Sequence, residues 1–264
     1  MFTLVETAYA AEKGITIHLA PEVLGTVFGV PITGTMLTAW LAMIVLISLA
    51  AAVKFGMKLM PGRLQLVFEA FIGAVYDYIA DTLGSKEHAN KFFPIVTTIF
   101  LFVLTMNWLG MLPGMDSIGF YKSVAEGTEK VMALVPLFHA PSTDLNLTLG
   151  IAIVSFVTVE FAGVTIVGLW RYVGKFINFR SPLGFAIGLM ELISELARLI
   201  AFSFRLFGNV FAGETLILVV MFLTTPYLAP VPLMAYEIFV GFIQAFIFAI
   251  LTLYFIKLAI IEPH

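Results

Sequence analysis

From Pro182-Leu183-Gly184 to Leu223 the chain is apolar for roughly 40 residues, about twice the length that crosses a bilayer, yet it carries Arg205 deep inside. A segment of this kind in lipid has to be helical, because its backbone N–H and C=O groups find no water there to bond. An arginine at mid-membrane depth costs about 2.5–3.5 kcal/mol on insertion scales, which makes Arg205 a functional candidate. On a helix, residues three, four and seven positions away share its face. These are Ala201, Gly208, Asn209 and Ala212. Small residues let another helix approach closely. Two readings of this face stay open. It is a packing groove whose arginine pairs with a carboxylate, or a cation presented across a thin surface to a partner helix.

The remaining sequence has the same character. Of 264 residues, 61% are hydrophobic and only 12% charged, too little charge for a soluble domain of this size. Alternating strand patterns are not evident, so the expected fold is an all-α integral membrane protein. A net charge of -3 gives no reason to expect a nucleic-acid partner. Cysteine is absent, which excludes disulfides and thiol chemistry. His18, His88, His139 and His264 are scattered without metal-ligand spacing. No glycine-rich or P-loop motif occurs, so neither a metal, a cofactor nor a nucleotide site is expected on this chain.

Along the chain, residues 1–32, beginning MFTLVETAYAAEKG, read as a retained external tail without a basic leader region. A first span is expected from about Thr33 to Val53, followed by Lys54, Lys58 and Arg63, which mark a cytoplasmic end. Pro61-Gly62 breaks the chain. From Gln65 to Leu83, Glu69, Asp77 and Asp81 interrupt apolar residues, the pattern of an interfacial amphipathic helix that Gly84 ends. SKEHANK reads as a polar connector. The second span is expected from Phe92 to about Leu112, with Pro94 in its first turn, Asn107 near its far end and Pro113-Gly114 as terminator. Residues 114–143 form a long polar segment without basic excess, as on the non-cytoplasmic side.

Pro141-Ser142-Thr143-Asp144 opens the third span, with Ser, Thr or Asp as N-cap, and that span runs to about Trp170. Glu160 inside it is either a proton-path group or a structural partner of another helix. Arg171, Lys175 and Arg180 then mark a cytoplasmic end. The long segment follows, ends at Thr224-Thr225-Pro226, and is succeeded by a last segment from about Leu233 to Ile261 with Lys257 near its end. The count is about five crossings, N-terminus outside and C-terminus in the cytoplasm. Residues 184–261 form a helical hairpin too long to cross perpendicularly, so it tilts, curves or runs partly outside the hydrocarbon. The chain reads as a single membrane domain over 1–264, without the internal repeat of many transporters.

Register places the polar groups of that hairpin. In an antiparallel pair, residues at one depth share a midpoint. Arg205 and Gln244 share one between Thr224 and Thr225, where TTP independently places the turn. Glu214 and Glu237 fall within about two residues, ~3 Å, of a common depth. They lie roughly 10–13 Å nearer the outside than Arg205 and Gln244. Glu214 is about half a turn out of phase with Arg205, so an ion pair between them is not expected. Two carboxylates at one depth repel if both are ionised, so one is expected to hold a proton, as a relay requires. Carboxylates held only by neighbouring hydroxyls are the alternative.

RLFGNVFAGE at 205–214 and QAFIFAILTLYF at 244–255, supported by PSTDLNLTL, FFPIVTTIFLFVLTMNWLGMLPG and PGRLQLVFE, resemble the a-subunit family of the bacterial F-type ATP synthase membrane sector. The resemblance covers nearly the whole chain after about residue 20. It implies a stator with two offset aqueous half-channels beside a rotating ring of c subunits. It implies a non-catalytic, proton-translocating subunit of the two-sector ATPase, with b-type peripheral stalk subunits and the rest of the synthase as partners, in the bacterial inner membrane. Arg205 matches the essential arginine facing the ring carboxylate, and Gln244 the glutamine beside it. Asn209, Glu214 and Glu237 match polar positions of the outer half-channel. Arg198 matches a basic position nearer the cytoplasm, and Glu191 an acidic one of the inner path. Family members often have histidine at one of the positions of Glu214 and Glu237; here both are glutamate. Gly110 stands where some members carry an aspartate. Asn107 and Glu160 are secondary candidates.

Two other classes compete with this reading. A secondary transporter or ion channel with an internal arginine would be expected to show a repeat. A quinone- or haem-binding subunit would need histidine pairs inside spans, and none occur.

Overall fold

The computed structural model describes residues 23–27, 29–56, 62–112, 114–126, 129–176, 182–224 and 230–261. The first 22 residues, Lys58, Pro61, Pro113, Arg180, the Thr225-Pro226 turn and the final EPH lie outside the described residues. Among the described residues seven α-helices form the body: α1 (Gly34–Gly56), α2 (Arg63–Leu83), α3 (Lys86–Gly110), α4 (Leu145–Val167), α5 (Leu169–Phe176), α6 (Pro182–Leu223) and α7 (Pro230–Ile260). Of these, α1, α3, α4, α6 and α7 are long and apolar enough to cross a membrane. The chain is a multi-pass, all-α membrane protein. The last two, α6 and α7, are the longest, with 42 and 31 residues.

Two antiparallel hairpins decorate this body: β1 (Val23–Val27) with β2 (Val30–Thr33), and β3 (Gly119–Glu126) with β4 (Glu129–Pro136). Sequence reasoning saw no strands. The segments alternate over too few residues to stand out beside spans of twenty. Part of the expected 1–32 tail is therefore the β1–β2 ribbon, and most of the 114–143 loop is the β3–β4 ribbon.

Helix ends differ from expectation where polarity was used to place them. SKEHANK is no connector: α3 starts at Lys86, with Ser85 as N-cap and Glu87 in the first turn. Polar residues propagate a helix beyond the hydrocarbon as readily as apolar ones. Pro94 consequently sits inside α3 rather than in its first turn. At the other end of this span α3 stops at Gly110, two residues early. The third span ends at Val167, because Gly168 takes φ 94°, and the short α5 turns away from it. α7 starts at Pro230, three residues early, with Pro230 and Pro232 in the first turn, where a missing N–H is harmless. Gly84 ends α2 as expected, at φ 67° with its N–H on the Ala80 carbonyl.

The main core joins Phe92 and Val103 of α3, Val159 of α4, Phe202 and Leu206 of α6 and Leu253 of α7, all buried. α2 packs on this core through Ile79 and Leu83. α1 adds a smaller cluster in which Ala39 and Ala42 meet Met106.

In lipid, dispersion and hydrogen bonds replace the hydrophobic effect between helices, so polar stitches matter. Ser155 Oγ and Thr252 Oγ1 lie 2.7 Å apart between α4 and α7. Thr148 Oγ1 and Ser203 Oγ lie 3.2 Å apart between α4 and α6. Asp144 resolves the choice of N-cap: its Oδ1 accepts from the Asn146 N–H at 2.9 Å, and its Oδ2 accepts from Thr35 Oγ1 of α1 at 2.9 Å.

Asp144→Ala removes the cap and leaves the buried Thr35 hydroxyl without this acceptor. A loss of about 1–2 kcal/mol is expected, read as an earlier unfolding midpoint in mixed detergent micelles. Asp144→Asn keeps cap geometry and is expected to lose less.

Candidate functional site: polar groups along the long hairpin

α6 and α7 are antiparallel, and Gln244 Nε2 donates to the Arg205 backbone carbonyl at 3.2 Å. These two residues therefore share a depth, as their common midpoint predicts. Gln244 itself is buried. Arg205 points the other way. It is exposed on the outer face of α6, and its guanidinium has no ion-pair partner among the described residues. Ala201, Asn209 and Ala212 are exposed on the same face and Gly208 is half-buried. Of the two readings of this face, the groove with a paired arginine finds no support among the described residues.

Toward the α6 C-terminus lies one polar cluster. The Glu214 carboxylate is 3.7 Å from His139 Nε2, in the loop before α4. Glu237 of α7 is buried, and its carboxylate lies against Gly213, where any Cβ would collide with it. Gly213 is thus what admits Glu237 beside Glu214, at the common depth the register requires. One turn along α7, Gly241 offers its carbonyl to Asn107 Nδ2 at 3.1 Å, and Asn107 Oδ1 accepts from Ser142 Oγ at 2.6 Å. Asn107 joins α3, α7 and the turn before α4 through one amide.

A second cluster lies toward the α6 N-terminus. Lys175 Nζ of α5 is 2.7 Å from Glu191 Oε1 and 3.5 Å from Glu195 Oε1. Arg198 Nη1 is 2.8 Å from Glu195 Oε2. Its guanidinium also stacks 3.9 Å from the centre of the Phe255 ring. Glu195 is almost fully buried, with a cation on each oxygen. Glu191 is the more open of the two carboxylates. Tyr172 enters this cluster because Gly163 leaves room for its ring on α4. Burial, then the nearby Glu160 carboxyl, pushes the Tyr172 phenol above its ordinary range. Glu160 Oε1 and the Tyr172 hydroxyl are both buried and face one another, without a hydrogen bond of ordinary geometry to any other described residue. A small recess between α4, α6 and α7 is lined by residues that include Ser155, Val159, Glu195, Arg198, Phe202 and Phe255.

The structure thus brings Glu214, Glu237 and Asn107 together at one end and Glu191, Arg198 and Glu160 near one another at the other. Arg205, Gln244 and Asn209 lie between. Sequence reasoning missed His139, Ser142, Tyr172, Lys175 and Glu195 as members of these clusters. His139 sits in a loop, where no periodicity gives its direction. Glu195 had a signal in the i,i+3 pairing with Arg198.

Removing Arg198 leaves a buried carboxylate short of one partner. Arg198→Ala is expected to destabilise the subunit by about 3 kcal/mol, and Glu195→Ala combined with Arg198→Ala by less, measured as SDS-induced unfolding midpoints in mixed micelles.

The family model described as ATP synthase A chain matches residues 36–257. An ATP synthase subunit a of Campylobacter jejuni subsp. jejuni is 38% identical over 74% of this chain and 76% of its own length. One from Campylobacter fetus subsp. fetus is 36% identical over 84% and 88%, and one from Geotalea daltonii 31% identical over 85% and 86%.

Proposed function

The chain belongs to the ATP synthase A chain family, and we propose on that premise that it is the stator of the membrane sector of an F-type ATP synthase, guiding protons to and from a ring of c subunits. The transporter and quinone- or haem-subunit readings are set aside by the family match. The observation that carries the proposal is the exposed Arg205. An intramembrane cation with no ion-pair partner among the described residues, on a face of small residues, fits a carboxylate supplied by a neighbouring subunit.

The mechanism follows from charge. A protonated ring carboxylate is neutral and tolerates lipid. Beside Arg205 its ionised form is favoured, because an opposite charge nearby stabilises the anion. The proton therefore leaves on one side of Arg205 and another binds on the other side, and Arg205 blocks direct passage between the two. The outer half-channel runs by Glu214, Glu237 and Asn107, with Asn209 and Gln244 near its inner end. The inner one runs by Glu191, with Arg198 and Glu160 beside it. Glu214 lies nine residues from Arg205 and Glu191 fourteen, roughly 13 and 21 Å along the helix. Neither group reaches the other without the ring.

Basic residues set the orientation. Lys54, Arg171, Lys175 and Lys257 mark the cytoplasmic side, so the N-terminus is outside and the C-terminus inside a bacterial inner membrane. The c ring, the b-type peripheral stalk and the remaining synthase subunits are the partners, and residues 184–261 form the surface facing the ring.

Arg205→Ala is expected to abolish proton-driven ATP synthesis in membrane vesicles and to open a passive proton leak with the soluble ATPase still bound. Arg205→Lys is expected to fail in synthesis too, because an ammonium is more strongly hydrated and loses its proton more readily when desolvated. Near wild-type synthesis by Arg205→Ala would overturn the proposal.

Topology has a separate check, clean because the chain has no cysteine. Glu214→Cys is expected to react with silver ions or charged maleimides added from outside, and Glu191→Cys with those added from the cytoplasm. The reverse pattern would refute the orientation.

A further inference from the structure

The loop before α4 is held from several sides. Its His139 N–H donates to Thr38 Oγ1 of α1 at 3.1 Å. Ala140 packs on α3 at Gly110, where a Cβ would collide with it. Ser142 donates to Asn107, and Asp144 accepts from Thr35. These anchors hold the loop through its backbone and through the side chains that flank His139. The imidazole is thereby presented from a fixed backbone, with Nε2 3.7 Å from Glu214 Oε1. Among the described residues, the carboxylates placed against this region are Glu214 on α6, Glu237 behind Gly213 and Asp144 at the N-cap of α4. The first two are carboxylates on the proposed path; the third is occupied by Thr35 and Asn146.

Exposure falls in one direction through these groups. The His139 side chain is 34% exposed and that of Glu214 21%, while Glu237 is buried. Imidazole takes and gives a proton near neutral pH, and its two nitrogens let it accept on one side and donate on the other. A separation of 3.7 Å is too long for a direct hydrogen bond but closes with a small side-chain rotation or one bridging water.

We propose that His139 is the entry relay of the outer path, taking a proton from the external water at one ring nitrogen and passing one from the other to Glu214. The proton balance is simple: imidazolium plus carboxylate becomes imidazole plus carboxylic acid, and bulk water reprotonates the ring. The inference rests on the reading of Glu214 and Glu237 as the outer path. It adds the group that loads that path and places it on a loop outside the two long helices.

The test uses the whole synthase complex in liposomes, with ATP synthesis driven by a potassium diffusion potential at equal pH on both sides. His139→Ala is expected to slow synthesis about tenfold, since water still reaches the part-exposed Glu214 and only the positioned imidazole is lost. Imidazole at equal concentration on both sides is expected to restore most of that rate in His139→Ala and none in Glu214→Gln. His139→Gln, which keeps polarity and size without the titrating ring, is expected to stay slow without imidazole. Subunit content of each complex is checked by gel. Should His139→Ala run at the wild-type rate, or stay slow with imidazole, while Glu214→Gln is impaired, His139 is no relay and the outer path stands. Should Glu214→Gln and Glu237→Gln both run at the wild-type rate, the outer path itself fails and this inference with it.

Discussion

The hydrogen bond from Gln244 to the Arg205 carbonyl fixes how the two longest helices lie against one another. One residue of slip would rotate the α7 face by about 100° and carry Glu237 away from Gly213. The bond also engages the Gln244 amide with the Arg205 backbone, while the Arg205 side chain lies exposed on the outer face of α6. A side chain-to-backbone bond serves better here than a bond between the two side chains, which would occupy the cation. Arg198 shows the contrast. Its charge is spent on Glu195 and its plane on Phe255, and it belongs to the architecture of the α6 N-terminal half.

Glycines decide where carboxylates sit. Gly213 has no side chain because Glu237 occupies that space, and Gly163 stands in the same relation to Tyr172. In both places a helix carries an acid or phenol into the seam between helices, and the neighbouring helix yields by omitting a Cβ. Such positions look like ordinary helix-packing glycines in a sequence, and only the facing residue tells them apart.

Much of the membrane part was legible because lipid removes alternatives. The apolar spans, the long pair over 184–261 and the common depths of Arg205 with Gln244 and of Glu214 with Glu237 all follow from helical rise and period. What failed lay mostly in the segments governed by water, although the amphipathic α2 and its Gly84 stop were found. α3 runs back through SKEHANK since solvated polar residues extend a helix without any apolar signal. The two ribbons alternate over a few residues only. His139 was dismissed as isolated, because pairing across 75 positions through a loop leaves no trace in spacing. Lys175 was read purely as a topological marker, yet it ties α5 to two carboxylates of α6.

The 42 residues of α6 make a rod of about 63 Å, roughly twice the ~30 Å of hydrocarbon it serves. Whatever share of that excess is taken up as incline turns position along the rod into position across the membrane plane. Its exposed face then acts as a ramp. A neighbour sliding sideways at constant depth meets different residues of α6 in turn, although it never moves up or down. Steps in the helix sequence become steps in angle around the partner, so the order of residues on one rod can serve as the timetable of a rotation.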